Sequence, residues 1–325
     1  MGEENDRLTL VARRACFGLP TACPNCLPVY VYLRLCKRPF DLAFNLVHPD
    51  SDQIPYVESG TYVAYNNEKG GVVQSLKDDG MVDDLDSAIR HIPEWASTMA
   101  MADSWIADAL LYELWLGSDA SSVQIYYSDL PWPVGKLLYL KQVYDTKQRL
   151  GITTENVDKR EEEIYRKAYI AYGALSTMLG DQSFFFENRP TSLDAVFLGH
   201  ALITLFALPD TSVLRSKLLE YANLVNYTKN FKLQFIDTIE LPSVSQLHNE
   251  PSSSTSRRNS NWSSKPKTKP QKKKRTEEEK KFRRRSKYFL VTQLVAVLVY
   301  LSVLGGSDDA EADLDDGDGG TYYGD

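Results

Sequence analysis

The chain has 325 residues, 43% of them apolar, which suits one large domain or two smaller ones followed by a tail. Its formal net charge of -7 hides a partition: 22 basic and 32 acidic side chains in residues 1–241, 15 and 4 in 242–287, none and 8 in 307–325. An acidic body removes the electrostatic case for a nucleic-acid surface, and four cysteines confined to the first 36 residues do not make a disulfide framework in a chain of this size.

After a polar start, residues 8–13 (LTLVAR) alternate loosely and predict a strand, followed by a Gly/Pro/Cys loop. Residues 26–37 (CLPVYVYLRLCK) are apolar along most of their length, with their charges near the end, and suit a helix packed on a sheet. Their β-branched and aromatic content also admits a strand, and periodicity leaves both readings open. Residues 40–47 (FDLAFNLV) alternate better and predict a second strand. Pro55 opens a short apolar run that ends at the turn signal Ser59-Gly60, and residues 62–65 can return as its hairpin partner. A loop at 69–71 then leads through 72–76 to Gly80. Strand, helix, strand and a strand pair form a thioredoxin-like order, placed at 1–82.

From Glu94 onward strand signals vanish. Trp95, Met99, Ile106, Leu110 and Leu114 share one face of a helix over 94–116. Pro131 and Pro133 interrupt the chain before a helix at 136–150. Residues 155–179 are helical again, with Ile164, Ala168, Ala171, Leu175 and Leu179 on one side and Gly180 ready to end the run. Ahead of the next apolar run, Thr191 can cap a helix through its hydroxyl, and Asp194 can bond back to the Thr191 backbone N–H, an Asp version of the capping box. Helices at 212–228 and 231–236 complete an all-α domain at 93–238.

Residues 239–287, with SSSTSRRNSNWSSKPKTKPQKKKR at their centre, lack apolar periodicity and read as a disordered basic linker suited to contact with anionic headgroups. Next comes a charge-free run at 288–304, from Tyr288 to Leu304, long enough for a helix of about 26 Å against a hydrocarbon core of about 30 Å. Basic residues precede it and acidic residues follow. The charge rule for membrane topology then predicts a transmembrane tail anchor at 288–305, with the N-terminal bulk in the cytosol and an acidic tail, 306–325, across the membrane.

A thioredoxin-like half followed by an all-α half, with Thr-Ser-Leu-Asp at the start of an inner helix, resembles the glutathione transferase fold. Within it the chain resembles the metaxin family. The resemblance rests on Gly180-Asp181-Gln182-Ser183-Phe184-Phe185-Phe186 with Pro190-Thr191-Ser192-Leu193-Asp194-Ala195, and on Leu130-Pro131-Trp132-Pro133, and it spans about residues 8–237. It implies a non-enzymatic subunit of the sorting and assembly machinery of the mitochondrial outer membrane, facing the cytosol beside a β-barrel insertase and handling β-barrel precursors. No catalytic residue, cofactor or metal is expected.

One motif stands apart. Cys23-Pro24-Asn25-Cys26 lies between the first strand and first helix, where redox proteins of the thioredoxin fold carry their dithiol, and a helix N-terminus would activate an exposed Cys23. Cys23 and Cys26 are therefore the redox candidates, and a membrane-anchored thiol-redox or glutathione-dependent enzyme is the alternative function. No charge partner for them is evident in the neighbouring sequence. The loop before the first helix offers Thr21 but no Tyr to activate glutathione. Gln74-Ser75 resembles the step that holds the γ-glutamyl group in glutathione transferases, and Ser75 equally suits a helix N-cap. His48, His91, His200 and His248 show neither metal nor triad spacing, and His200 reads as a hydrogen-bonded core residue.

Overall fold

The computed structural model describes residues 7–45, 52–117, 121–127, 130, 134–186, 189–237 and 293. The end of the second expected strand, Pro131-Trp132-Pro133, the linker, the run from Tyr288 to Leu304 (Gln293 aside) and the acidic tail lie outside them. Among the described residues no helix is long and apolar enough to cross a membrane. By its internal contacts the chain divides into residues 1–249 and 250–325.

Strand β1 (Leu8–Ala12) leads through the cysteine loop into α1 (Cys26–Leu35), and β2 (Phe40–Phe44) returns parallel to β1, Leu10 opposite Leu42. Strands β3 (Tyr56–Ser59) and β4 (Tyr62–Tyr65) form a hairpin on the other side of β1, giving the order β2-β1-β3-β4 with β3 antiparallel to both neighbours. The register sets Leu42, Leu10, Val57 and Ala64 in one row across the sheet. Helix α2 (Gly71–Asp78) completes this half, entered through Gly70 and Gly71, whose φ values of 86° and 70° only glycine adopts freely.

The ambiguous run 26–37 is a helix. Pro28 sits in its first turn, where the missing N–H goes unused, whereas in a central strand it would break the ladder. Eight of the ten α1 residues are buried, because α1 has the sheet on one side and the helical half on the other. A helix covered all round shows no amphipathic period, which is why its sequence left the choice open.

The helical half begins with α3 (Pro93–Met101) and α4 (Ala107–Trp115), joined by a π-helical turn at Ala102–Ile106. That turn shifts the helix phase: Ile106, Leu110 and Leu114 are buried, whereas Trp95 and Met99 are only half-buried, so the single face expected over 94–116 is broken in two. Then follow α5 (Ser121–Tyr126), α6 (Val134–Leu150), α7 (Val157–Leu179) and α8 (Ser192–Phe206). Helices α9 (Val213–Leu219) and α10 (Ala222–Phe235) break at 220–221 rather than after 228 as the periodicity suggested. Helix α9 has its own start: Ser212 caps it through Arg215 N–H at 3.1 Å, and the buried Glu113 carboxylate of α4 accepts Leu214 N–H at 2.9 Å.

Thirteen of the fifteen α8 residues are buried, and α8 packs lengthwise on α1. The two approach closely at Gly199: a Cβ there would meet Pro28 Cγ, N and Cα at 2.7, 2.8 and 2.9 Å. Next to it, His200 is 4% exposed, and its Nδ1 lacks the hydrogen bond expected of it. Burial alone lowers its pKa from 6.5 to about 4.

Two outcomes follow. In a fragment ending at residue 249, Gly199→Ala lowers the denaturant-unfolding free energy by about 2–3 kcal/mol, because backbone atoms of Pro28 cannot step aside as a flexible side chain would. Wild-type stability in that fragment would contradict the packing. The neutral His200 favoured by folding contributes fully above pH 6.5, and that contribution is lost as pH falls toward 4. His200→Leu should therefore flatten the acid limb of stability between those values, and parallel limbs in the two proteins would overturn this assignment.

Candidate functional site

The C-x-x-C lies at the start of α1, where the Cys23 carbonyl accepts the N–H groups of Cys26 at 3.1 Å and Leu27 at 3.0 Å, and Thr21 Oγ1 accepts the Cys23 N–H at 3.3 Å. Both sulfurs are free thiols, and both residues are buried, at 1% and 0% exposure, so Cys23 is not the exposed thiol its position suggested. The Cys26 thiol hydrogen-bonds Cys23. Tyr126, from α5, donates its phenol to Cys23 Sγ at 3.6 Å across 103 residues of sequence.

A charge partner is present after all. Arg13 follows β1 directly and is only 9% exposed; its guanidinium lies 4.5 Å from the Tyr126 ring centroid, and its Nε and Nη1 have no hydrogen-bond partner. Burial resists a charge on Cys23, but the Cys26 hydrogen bond, the Arg13 cation and the Tyr126 hydroxyl outweigh it and bring the thiol well below its ordinary range. Burial and the adjacent Cys23 sulfur push Cys26 the other way. The two thiols are thus pushed in opposite directions beside a buried cation. Arg13, Pro24, Asn25, Ile54, Trp115 and Tyr126 are among the walls of a neighbouring cavity of about 260 Å³.

Gln74 and Ser75 are placed differently from either reading of them. Helix α2 starts at Gly71, so Ser75 is its fifth residue and caps nothing; the glycine pair turns the chain into the helix four residues earlier. The Ser75 hydroxyl donates to Glu68 Oε2 at 3.0 Å and Gly71 O at 3.2 Å, and Gln74 donates to Asp78 at 2.6 Å. Both side chains bond within their own segment.

Thr191 is the N-cap of α8, with Asp194 at the third helical position. The Asp194 carboxylate takes Thr191 N–H at 2.8 Å, Thr191 Oγ1–H at 2.7 Å, Phe185 N–H at 3.1 Å and the Tyr227 hydroxyl at 2.6 Å, all with Asp194 fully buried. Burial raises its pKa despite these donors. At the first helical position, in the same turn, Asp86 accepts Ser192 N–H at 2.8 Å, and it accepts Lys77 Nζ at 2.6 Å. The sequence held no sign of Asp86, Lys77 or Tyr126, whose partners are distant. Arg13 had one: a charge ending an apolar strand at the same sheet edge as the C-x-x-C.

Among the described residues, no group of three His, Cys, Asp or Glu could hold a metal ion. His91 is exposed, and His48 and His248 lie outside the described residues.

The family described as glutathione S-transferase N-terminal domain matches residues 24–120, and the glutathione S-transferase C-terminal domain matches residues 168–231. Over 317 residues the chain is 52% identical to the mitochondrial outer membrane import complex protein METAXIN of Arabidopsis thaliana, covering 97% of this chain and 98% of that one. It is 26% identical to Metaxin-2 of Mus musculus, over 65% of this chain and 81% of that one. A solved glutathione transferase from Phanerochaete chrysosporium matches with a TM-score of 0.49 and 9% identity, over 69% of this chain and 96% of that one.

The Asp194 network sets an order of stabilities. Asp194→Ala leaves several buried donors without an acceptor and should lower the stability of the fragment ending at residue 249 by about 3 kcal/mol, against about 1 kcal/mol for Thr191→Ala. Denaturant melts that rank Thr191→Ala as the more damaging would refute the network.

Proposed function

The chain belongs to the metaxin family, and on that membership we propose that it is a subunit of an import complex of the mitochondrial outer membrane. The observation that carries this reading is the 52% identity that runs through 97% of the chain. Because at most about ten residues remain outside that match, it takes in the basic segment and the run from Tyr288 to Leu304 as well as the folded body.

In this reading residues 288–305 anchor the protein, the basic linker 239–287 stays on the cytosolic side, and the acidic tail 306–325 crosses. The charge pattern supports it: 15 basic residues against 4 acidic precede the run, and 8 acidic with none basic follow. The subunit acts without catalysis, receiving or releasing β-barrel precursors beside an insertase. Two features favour a scaffold over glutathione chemistry. Ser75 and Gln74 are tied up within their own segment, and Cys23 is buried.

Deleting residues 288–325 should turn a carbonate-resistant protein into a soluble one, and continued membrane integration would refute the anchor. Mitochondria lacking the protein should insert radiolabelled porin more slowly, while import into the matrix falls less or later. Normal porin assembly in such mitochondria would overturn the assignment, as would failure of a barrel insertase to co-purify with the tagged protein.

A further inference from the structure

Apart from the import role, we propose that Cys23 and Cys26 form a peroxide-responsive dithiol that closes reversibly to a disulfide and thereby loosens the joint between the two halves. The geometry supplies each part. The C-x-x-C turn, closed by the Cys26 N–H to Cys23 carbonyl bond of 3.1 Å, holds the two thiols on one turn at the start of α1, where they interact with each other. Arg13 supplies a cation beside Cys23, and Tyr126 donates to its sulfur at 3.6 Å. Access is narrow: Cys23 is 1% exposed, and Arg13, Pro24 and Tyr126, which surround it, wall the 260 Å³ cavity. A reactant the size of hydrogen peroxide suits such a site better than a bulky disulfide.

The chemistry balances as follows. The Cys23 thiolate attacks one peroxide oxygen, forming S–O and breaking O–O; the departing hydroxide takes the Cys26 proton and leaves as water. The Cys26 thiolate then attacks the Cys23 sulfur, forming S–S and breaking S–O with loss of a second hydroxide. The two sulfurs give up two electrons and one peroxide is reduced. Closure removes the negative charge facing Arg13. Its guanidinium, with Nε and Nη1 already unpartnered, then loses the charge beside it while it stays buried under Tyr126, the α5 side chain that reaches the cysteine loop.

The test uses the full chain in detergent micelles, with Cys16 and Cys36 as internal references, both pushed up to about 11, chiefly by burial. Iodoacetamide labelling read by peptide mass spectrometry should persist at Cys23 below pH 7 while Cys16 and Cys36 label only in alkali. Hydrogen peroxide should convert the peptide holding Cys23 and Cys26 to a form lacking two hydrogens, reversed by dithiothreitol, and should raise hydrogen exchange in α5. Arg13→Met should slow Cys23 labelling at pH 7 roughly ten-fold. If that variant fails to fold, Tyr126→Phe, expected to shift the wild-type pH profile upward, takes its place. Cys23 labelling that rises only with Cys16 and Cys36 overturns the proposal, as does peroxide that leaves the pair reduced or carries Cys23 to sulfinic acid without a disulfide. Unchanged α5 exchange on disulfide formation overturns the loosening.

Discussion

The close approach of α8 to α1 at Gly199 and Pro28 is the constraint on which the rest of the fold depends. Helix α1 can be buried on both faces only if another helix lies flat against the side away from the sheet, and at 2.7–2.9 Å a single methyl group on Gly199 would hold them apart. The proline sharpens the constraint, because its ring occupies the helix surface where another residue would direct a mobile side chain outward. With α8 seated there, its buried flank reaches α4, α9 and α10, and the helical half assembles around it.

Seating α8 creates a second requirement, since a buried helix start presents N–H groups with no water to satisfy them. Two carboxylates answer it from opposite sides. Asp194 closes the cap from within and ties it to Phe185 and Tyr227, while Asp86, in the connection between the halves, takes Ser192 N–H and brings Lys77 of α2 with it. Lys77 in turn lies 5.1 Å from the Tyr32 ring centroid of α1, and Tyr32 donates to Asp83 O at 2.8 Å. Buried ion pairs of this kind return little net stability against an apolar replacement. Their effect here is geometric: α2, the connection and α8 meet in one register.

Elements whose cause is local were legible in the sequence. The β1–β2–β3–β4 runs, the Thr191-Asp194 spacing and the Gly180 stop each carry their signal within a few residues. Elements fixed by distant contacts were not. Ser75 looked like a cap because Gln-Ser followed a glycine loop, but the two glycines begin the helix before it. The π turn at Ala102–Ile106 leaves no mark in an apolar pattern whose spacings of four and seven absorb the extra residue. Arg13 was read as the end of a strand, and its role became visible only when α5 placed Tyr126 over it. The bare Nδ1 of His200 has the same origin: an apolar helix predicts a buried histidine but cannot say whether the opposing helix brings an acceptor.

Besides the Lys77–Asp86–Ser192 contact, the two halves meet through two joints of different character. The α1–α8 joint is steric and apolar, and the one titratable side chain the contact at Gly199 adjoins, His200, is held neutral by burial. The Arg13–Cys23–Tyr126 joint depends on charge, because a guanidinium that is 9% exposed, with two donors unpartnered, is tolerable only while an anion stands beside it. In the proposed dithiol that anion is the Cys23 thiolate, which unlike a carboxylate can be discharged by oxidation as well as by acid. A fold held by the first joint alone would keep its architecture when the second is discharged, and the change would be confined to α5 and the cysteine loop. This partition lets the body carry a responsive dithiol without staking its folding on it.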